Sequence, residues 1–118
     1  MGVEYILVNE TKKEMISFTH LNGCKMRELA GNAAQSAIVT WYLLNNQGDQ
    51  IQFVSDSYDD WPFASGSRDF AWTYPDKTEE IINILIEKEI LKDNGMLHVD
   101  EEEPEEVYTR NIVNVWCK

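Results

Sequence analysis

The sequence predicts an α+β fold: a small, largely antiparallel sheet packed against two main helices, in a single domain spanning residues 1–118. Short β-rich runs open and close the chain, and two longer segments repeat apolar residues at spacings of three and four, which makes one helix face. The composition, 43% hydrophobic and 11% aromatic over 118 residues, suffices for one core. A chain of this length buries about two-thirds of the surface its unfolded form exposes. It is also too apolar to stay disordered in spite of its charge.

Val3, Tyr5, Ile6, Leu7 and Val8 form the first β-rich run and residues 15–18 the second, joined by a polar connection over residues 9–13, so an N-terminal hairpin is expected. Residues 25–30 read as a short helix that Gly31 stops. Asn32 can cap the next helix, whose Ala34, Ala37, Ile38, Trp41 and Tyr42 share one face. Residues 45–48 end it, and residues 50–55 alternate apolar and polar with the period of a half-buried strand. From 56 to 75 the chain mixes Asp, Ser, Gly and Pro with six aromatic residues, which predicts a structured loop with a short strand at 70–73. The second main helix opens at Thr78, capped by Asp76 or Thr78. Ile81, Ile82, Leu85, Ile86 and Ile90 form its buried face, Lys88 and Lys92 lie in its last turns, and Asn94 with Gly95 closes it. A brief strand at 96–99 and a terminal strand at 107–116 complete the reading.

The charge is concentrated. Residues 49–60 hold Asp49, Asp56, Asp59 and Asp60, and residues 93–106 hold Asp93, Asp100, Glu101, Glu102, Glu103, Glu105 and Glu106, with no Lys or Arg in either stretch. These account for the formal net charge of −11, and the rest of the chain is balanced. Such a field attracts cationic partners and speeds their encounter. It argues against direct nucleic-acid binding, which rests on Lys and Arg neutralising phosphates. The acidic N-terminus and its short apolar run predict no signal peptide and no membrane span, so a cytoplasmic protein is expected. Gly2 follows Met1, but Ile6 stands where a myristoylation motif has Ser or Thr.

Little points to chemistry. Cys24 and Cys117 lack the CxxC spacing of zinc or redox sites, and a partly buried structural thiol is expected at Cys24. His20 and His98 have no neighbours that suggest a triad. No phosphate-binding, nucleophile-elbow or zinc-protease motif is present, so neither an enzyme nor a cofactor is expected. Asp56, Asp59 and Asp60 offer oxygen ligands for a hard cation, but they do not match a calcium loop. A solvated or partner-facing acidic loop is the simpler reading. The run 100–106 reads either as a solvated loop or as an acidic arm that docks a basic groove. Trp61, Phe63 and Trp72 either roof the core or serve an interface, where rigid aromatic rings give large contact for little lost entropy.

Residues 5–9, Lys13 with Glu14, Gly23 with Lys25, and residues 48–51 leading to 55–59 resemble a pattern in small uncharacterised bacterial proteins. The resemblance covers about the first half of the chain and implies bacterial origin. In size, acidity and lack of a catalytic signature the chain is also similar to immunity proteins of bacterial toxin systems, including contact-dependent inhibition. That likeness implies an inhibitor of a cognate basic toxin domain, with a nuclease as the expected class. Asp56, Tyr58, Asp59, Asp60 and Trp61 are the first partner-binding candidates, and Glu101, Glu102 and Glu103 the second. The alternative is a structural or regulatory module that self-associates or docks on another cellular protein through its sheet edge.

Overall fold

The computed structural model describes residues 4–21, 23–55, 61–64, 66–99, 101–102 and 108–116. Its first sheet has three antiparallel strands, β1 (Tyr5–Asn9), β2 (Glu14–Ile16) and β3 (Ile51–Ser55), in the order β2-β1-β3. Residues 6 to 9 are all buried, the signature of a strand covered on both faces. Leu7 lies in register with Ile16 on one side and Phe53 on the other. Leu7 and Ile16 pack against the helices through Ile38, Ile82 and Leu85. Ile6 and Val8 point the other way with Met15 and Val54, toward Ala71, Trp61, Phe63 and Tyr74. Three aromatic residues of the loop therefore roof a second small core.

The strand's alternation continues into buried polar residues at its end. Asn9, fully buried on the helix face, donates from Nδ2 to the Tyr42 hydroxyl at 2.9 Å and to Asp49 at 2.8 Å. Its Oδ1 accepts from the Lys12 amide at 3.0 Å. Tyr42 donates to Glu14 at 2.5 Å, and burial, reinforced by that bond, pushes its phenol far above the usual range. Glu10, 3% exposed on the opposite face, pairs with Lys13 and accepts from the Tyr74 hydroxyl at 2.6 Å. One turn thus pins both layers that cover the sheet.

Helix α1 (Met26–Gly31) and helix α2 (Ala33–Asn45) are separated only by Asn32. The extended backbone of Asn32 donates to Glu28 and accepts from Ser36, which links the two helices through one residue. Gly31 is the last residue of α1, close to its expected role as a stop. Ala34, Ile38 and Tyr42 form the buried face of α2, and Gln35 is also buried and donates to the Gly23 carbonyl at 3.0 Å. After β3 and the roofing loop comes a short helix, α3 (Arg68–Ala71), where a strand was expected. Here Ala71 must tuck beneath the sheet, fully buried, while Phe70 and Trp72 remain exposed. A strand would alternate these side chains in the same way, so the turn is set by the backbone, in which Ala71 donates to the Ser67 carbonyl at 3.1 Å, Thr73 to Phe70 at 3.0 Å and Tyr74 to Ala71 at 3.1 Å.

Helix α4 (Thr78–Glu87) begins at Thr78 as predicted, but Lys77 holds the N-cap position without a side-chain cap, and Asp76 serves the first turn from one residue further out. Asp76 accepts from the Thr78 amide at 3.0 Å and from its hydroxyl at 2.6 Å, and the same hydroxyl accepts from the amides of Ser17 and Phe18. The helix ends six residues before Asp93, however, and not at Asn94. Ile90 donates to the Leu85 carbonyl at 2.9 Å and Glu89 to Ile86 at 3.1 Å, with Glu89 at φ 60°. This is a Schellman closure in which a glutamate holds the left-handed position usually given to glycine. Lys92, Asn94 and Gly95 consequently belong to β4 (Leu91–Val99), which pairs antiparallel with β5 (Tyr108–Asn114) as a second, two-stranded sheet. Gly95, at φ 98°, lies where the register shifts between Asp93 and Met96.

Leu91 and Ile112 carry this hairpin into the main core. Arg110, with its side chain 11% exposed, clamps it electrostatically, donating to both Glu79 oxygens at 2.9 and 2.8 Å and to Asp93 at 2.8 Å. On the same strand Tyr108 stacks on the His20 ring at 3.7 Å. Among the described residues no helix is long and apolar enough to cross a membrane.

A left-handed backbone costs a residue with a Cβ about 1 kcal/mol or more, and glycine gives back part of that through its larger unfolded entropy. Glu89→Gly should therefore leave stability unchanged or raise it by up to about 1 kcal/mol, whereas Glu89→Val should lower it by more than about 1 kcal/mol. Urea unfolding checks both, and a destabilising glycine would refute the helix end described.

The pH dependence is also set by geometry. Lys12 and Asn9 hold the Asp49 carboxyl below its usual range, and Arg110, with the Gly95 amide, does the same for Asp93. Both carboxylates stabilise the fold above their unfolded value, about 3.9, and lose that contribution as pH falls through their lower folded values. Urea midpoints should therefore decline below about pH 4, and the decline should be shallower in Lys12→Met and Arg110→Met chains.

Candidate functional site

The two edges of the three-stranded sheet differ. At β2 the Met15 amide donates to the Pro75 carbonyl at 3.0 Å and its carbonyl accepts from Lys77 at 2.8 Å, so residues 75–77 seal that edge. β3 pairs with β1 alone among the described residues. The bond from the Glu10 amide to the Gln50 carbonyl, 2.9 Å, fixes which residues of β3 face β1. Antiparallel alternation then turns the backbone groups of Gln52 and Val54 toward β1, and those of Ile51 and Phe53 away from it.

Beside this edge, on the helix face, lies a groove of about 400 Å³ lined by Tyr5, Met26, Leu29, Ala30, Ser36, Val39, Thr40 and Phe53. It is almost wholly apolar, with only two hydroxyl residues besides Tyr5. Met26 is 69% exposed and Phe53 39%. Phe53 is held in place by Tyr5, which meets its ring edge-on at 6.2 Å, and by Phe18, stacked at 6.4 Å. A second hollow of about 290 Å³ opens on the other face of β3, between Asp49, Gln50, Gln52 and residues 62–64. One strand is thus flanked by an apolar recess on one face and a more polar one on the other.

Of the partner-binding residues expected from sequence, Asp56, Tyr58, Asp59, Asp60 and Glu103 lie outside the described residues. Trp61 is half-buried, packed edge-on against Phe63 at 5.0 Å in the roof of the second core. Glu101 and Glu102 are exposed and follow β4. The described candidates therefore belong to separate parts of the fold, with Trp61 beside the first sheet and the glutamates beyond the second. Sequence reasoning missed the groove. Its one signal was Phe53 followed by Val54, apolar residues on both faces of a strand expected to be half-buried.

Groups with catalytic potential are placed structurally. His20 lies against Tyr108 with its Nδ1 3.1 Å from the Tyr108 carbonyl. Cys24 is half-buried against the main core, and its carbonyl accepts from the Tyr5 amide at 3.0 Å. Among the described residues no three His, Cys, Asp or Glu side chains are grouped to hold a metal ion.

No protein-family model matches the chain, and no curated protein and no solved structure matches it.

Proposed function

We propose that the chain is a protein-binding inhibitor of the immunity type, acting in the cytoplasm to neutralise a cognate bacterial toxin, with a basic nuclease domain as its target. The observation that supports this reading is an apolar groove beside β3, a strand that pairs with β1 alone among the described residues, in a chain of net charge −11. Apolar recesses supply affinity when a partner fills them, and a concentrated field of one sign selects and accelerates partners of the other. The acidic residues Asp56, Asp59 and Asp60, with Tyr58, follow β3 in sequence and serve as the first charged contacts. Glu101, Glu102 and Glu103 serve as the second. Trp61 contributes by holding the roof from which that segment departs.

An acidic surface also occupies a nuclease groove by the same charges that the phosphates of its substrate would offer. The alternative, self-association through the β3 edge, is favoured by the same strand and opposed by the charge.

Tagged chain incubated with lysate of its source organism should retain one stoichiometric basic protein through low-salt and high-salt washes. Production of that protein should arrest growth only when this chain is absent. The association rate should fall about tenfold or more between low and physiological salt. A retained partner without toxicity, or no partner together with a mass that rises with concentration, would overturn the inhibitor reading.

A further inference from the structure

We propose that β3 receives an extended segment of a basic partner as a fourth strand of the first sheet, with apolar side chains of that segment seated in the groove formed by Tyr5, Met26, Leu29, Val39 and Phe53. This rests on the inhibitor reading and adds to it a mode of docking and a partner chemistry.

Backbone geometry supplies the first argument. Ile51 and Phe53 direct their amides and carbonyls away from β1, and the edge that β2 presents is already closed by residues 75–77. A strand laid along β3 would sit about 4.8 Å away and continue the ladder. The composition of β3 supplies the second. Ile51, Gln52, Phe53, Val54 and Ser55 include neither Lys nor Pro, the residues that commonly protect an edge against pairing.

The two faces supply the third. Side chains of an added strand alternate, so one set falls beside Phe53 over the apolar groove. The other falls beside Gln52 over the hollow that includes Asp49 and Gln50. The fitting segment therefore alternates apolar with polar residues.

Charge selects the occupant. The sequence is acidic after β3, with Asp56, Asp59 and Asp60, while Asp49 before it is already paired with Lys12. A second copy would bring the same Asp56, Asp59 and Asp60 to the same edge. A segment with basic residues at its ends is complementary instead.

The test uses the full chain and a short synthetic peptide that alternates valine and threonine and carries lysines at both ends. In the free chain the Ile51 and Phe53 amides should exchange with solvent faster than those of Gln52 and Val54. At saturating peptide their exchange, followed by NMR, should slow at least about tenfold. A peptide with glutamates at its ends, and one with a central proline, should leave both amides unprotected. A Phe53→Lys chain whose Leu7 and Val8 amides remain protected is folded, and it should fail to respond to the lysine peptide. The proposal is overturned if the glutamate peptide protects equally, if protection arises elsewhere with Ile51 and Phe53 unchanged, or if it rises with protein concentration alone. If the toxin is retained equally by wild-type and Phe53→Lys chains, strand addition fails while the inhibitor reading stands. If the lysine peptide protects this edge but no toxic partner exists, the inhibitor reading fails and the docking edge stands.

Discussion

Everything in this structure is arranged around β1, a strand with partners on both edges and a packed layer on both faces. Its apolar residues alternate between two cores, so Leu7 belongs to the helices and Ile6 and Val8 to the aromatic loop. Neither layer could shift register without exchanging these sets, because a slip of one residue reverses every side chain. The turn after β1 reinforces the constraint with polar groups. Asn9 reaches Tyr42 on one face and Glu10 reaches Tyr74 on the other, and both are buried. Unsatisfied, such groups would be costly; satisfied, they specify which helix and which loop lie on which face.

The candidate site follows from this arrangement. Since β1 occupies the centre, only β2 and β3 can be edges, and the start of α4 disposes of one of them. Residues 75–77 must pass beside Met15 so that Asp76 can serve the first turn of α4 and the Thr78 hydroxyl can receive the amides of Ser17 and Phe18. The groove at β3 arises because α1 stops short at Asn32. The single extended residue Asn32 turns the chain from α1 into α2, and Met26 and Leu29 of α1 line the groove together with Val39 of α2. Tyr5 and Phe53 form the floor from adjacent strands.

Much of this was legible in the sequence. The N-terminal hairpin, the apolar face of α2 and the start of α4 at Thr78 depend on contacts close in sequence or on strong periodicity. The end of α4 was not. Ile86, Ile90 and Leu91 continue a helical spacing, and Asn94 with Gly95 resembles a helix stop, yet Glu89 takes a left-handed conformation that composition does not announce. The aromatic residues at 70–73 likewise suggested a strand, because the pattern of Ala71 buried between exposed Phe70 and Trp72 fits either element, and the backbone bonds from Ala71 to Ser67 and from Tyr74 to Ala71 decide for the helical turn. The acidic stretches were visible as charge. The groove was not, since Tyr5, Met26, Val39 and Phe53 come from four separate elements.

The fold's own cations bear on how that charge acts. Lys12 is bound to Asp49, Lys13 to Glu10, Lys77 to Glu80, and Arg110 to both Glu79 and Asp93. Each of these pairs joins or steadies structural elements, and Arg110 in particular ties β5 to α4 and β4. Moving one to neutralise an acidic stretch would leave its present carboxylate partner without compensation, at Glu10 in a buried setting where this is most costly. The surplus negative charge therefore cannot be met from these residues without loss of structure. Salt can screen it over a distance of roughly 8 Å at physiological strength, but only a cationic surface brought within that distance can neutralise it specifically. The turn that follows β1 thus engages Lys12 and Lys13 with carboxylates of the fold itself, as Arg110 engages Glu79 and Asp93, and these cations are already committed within a chain of formal charge −11.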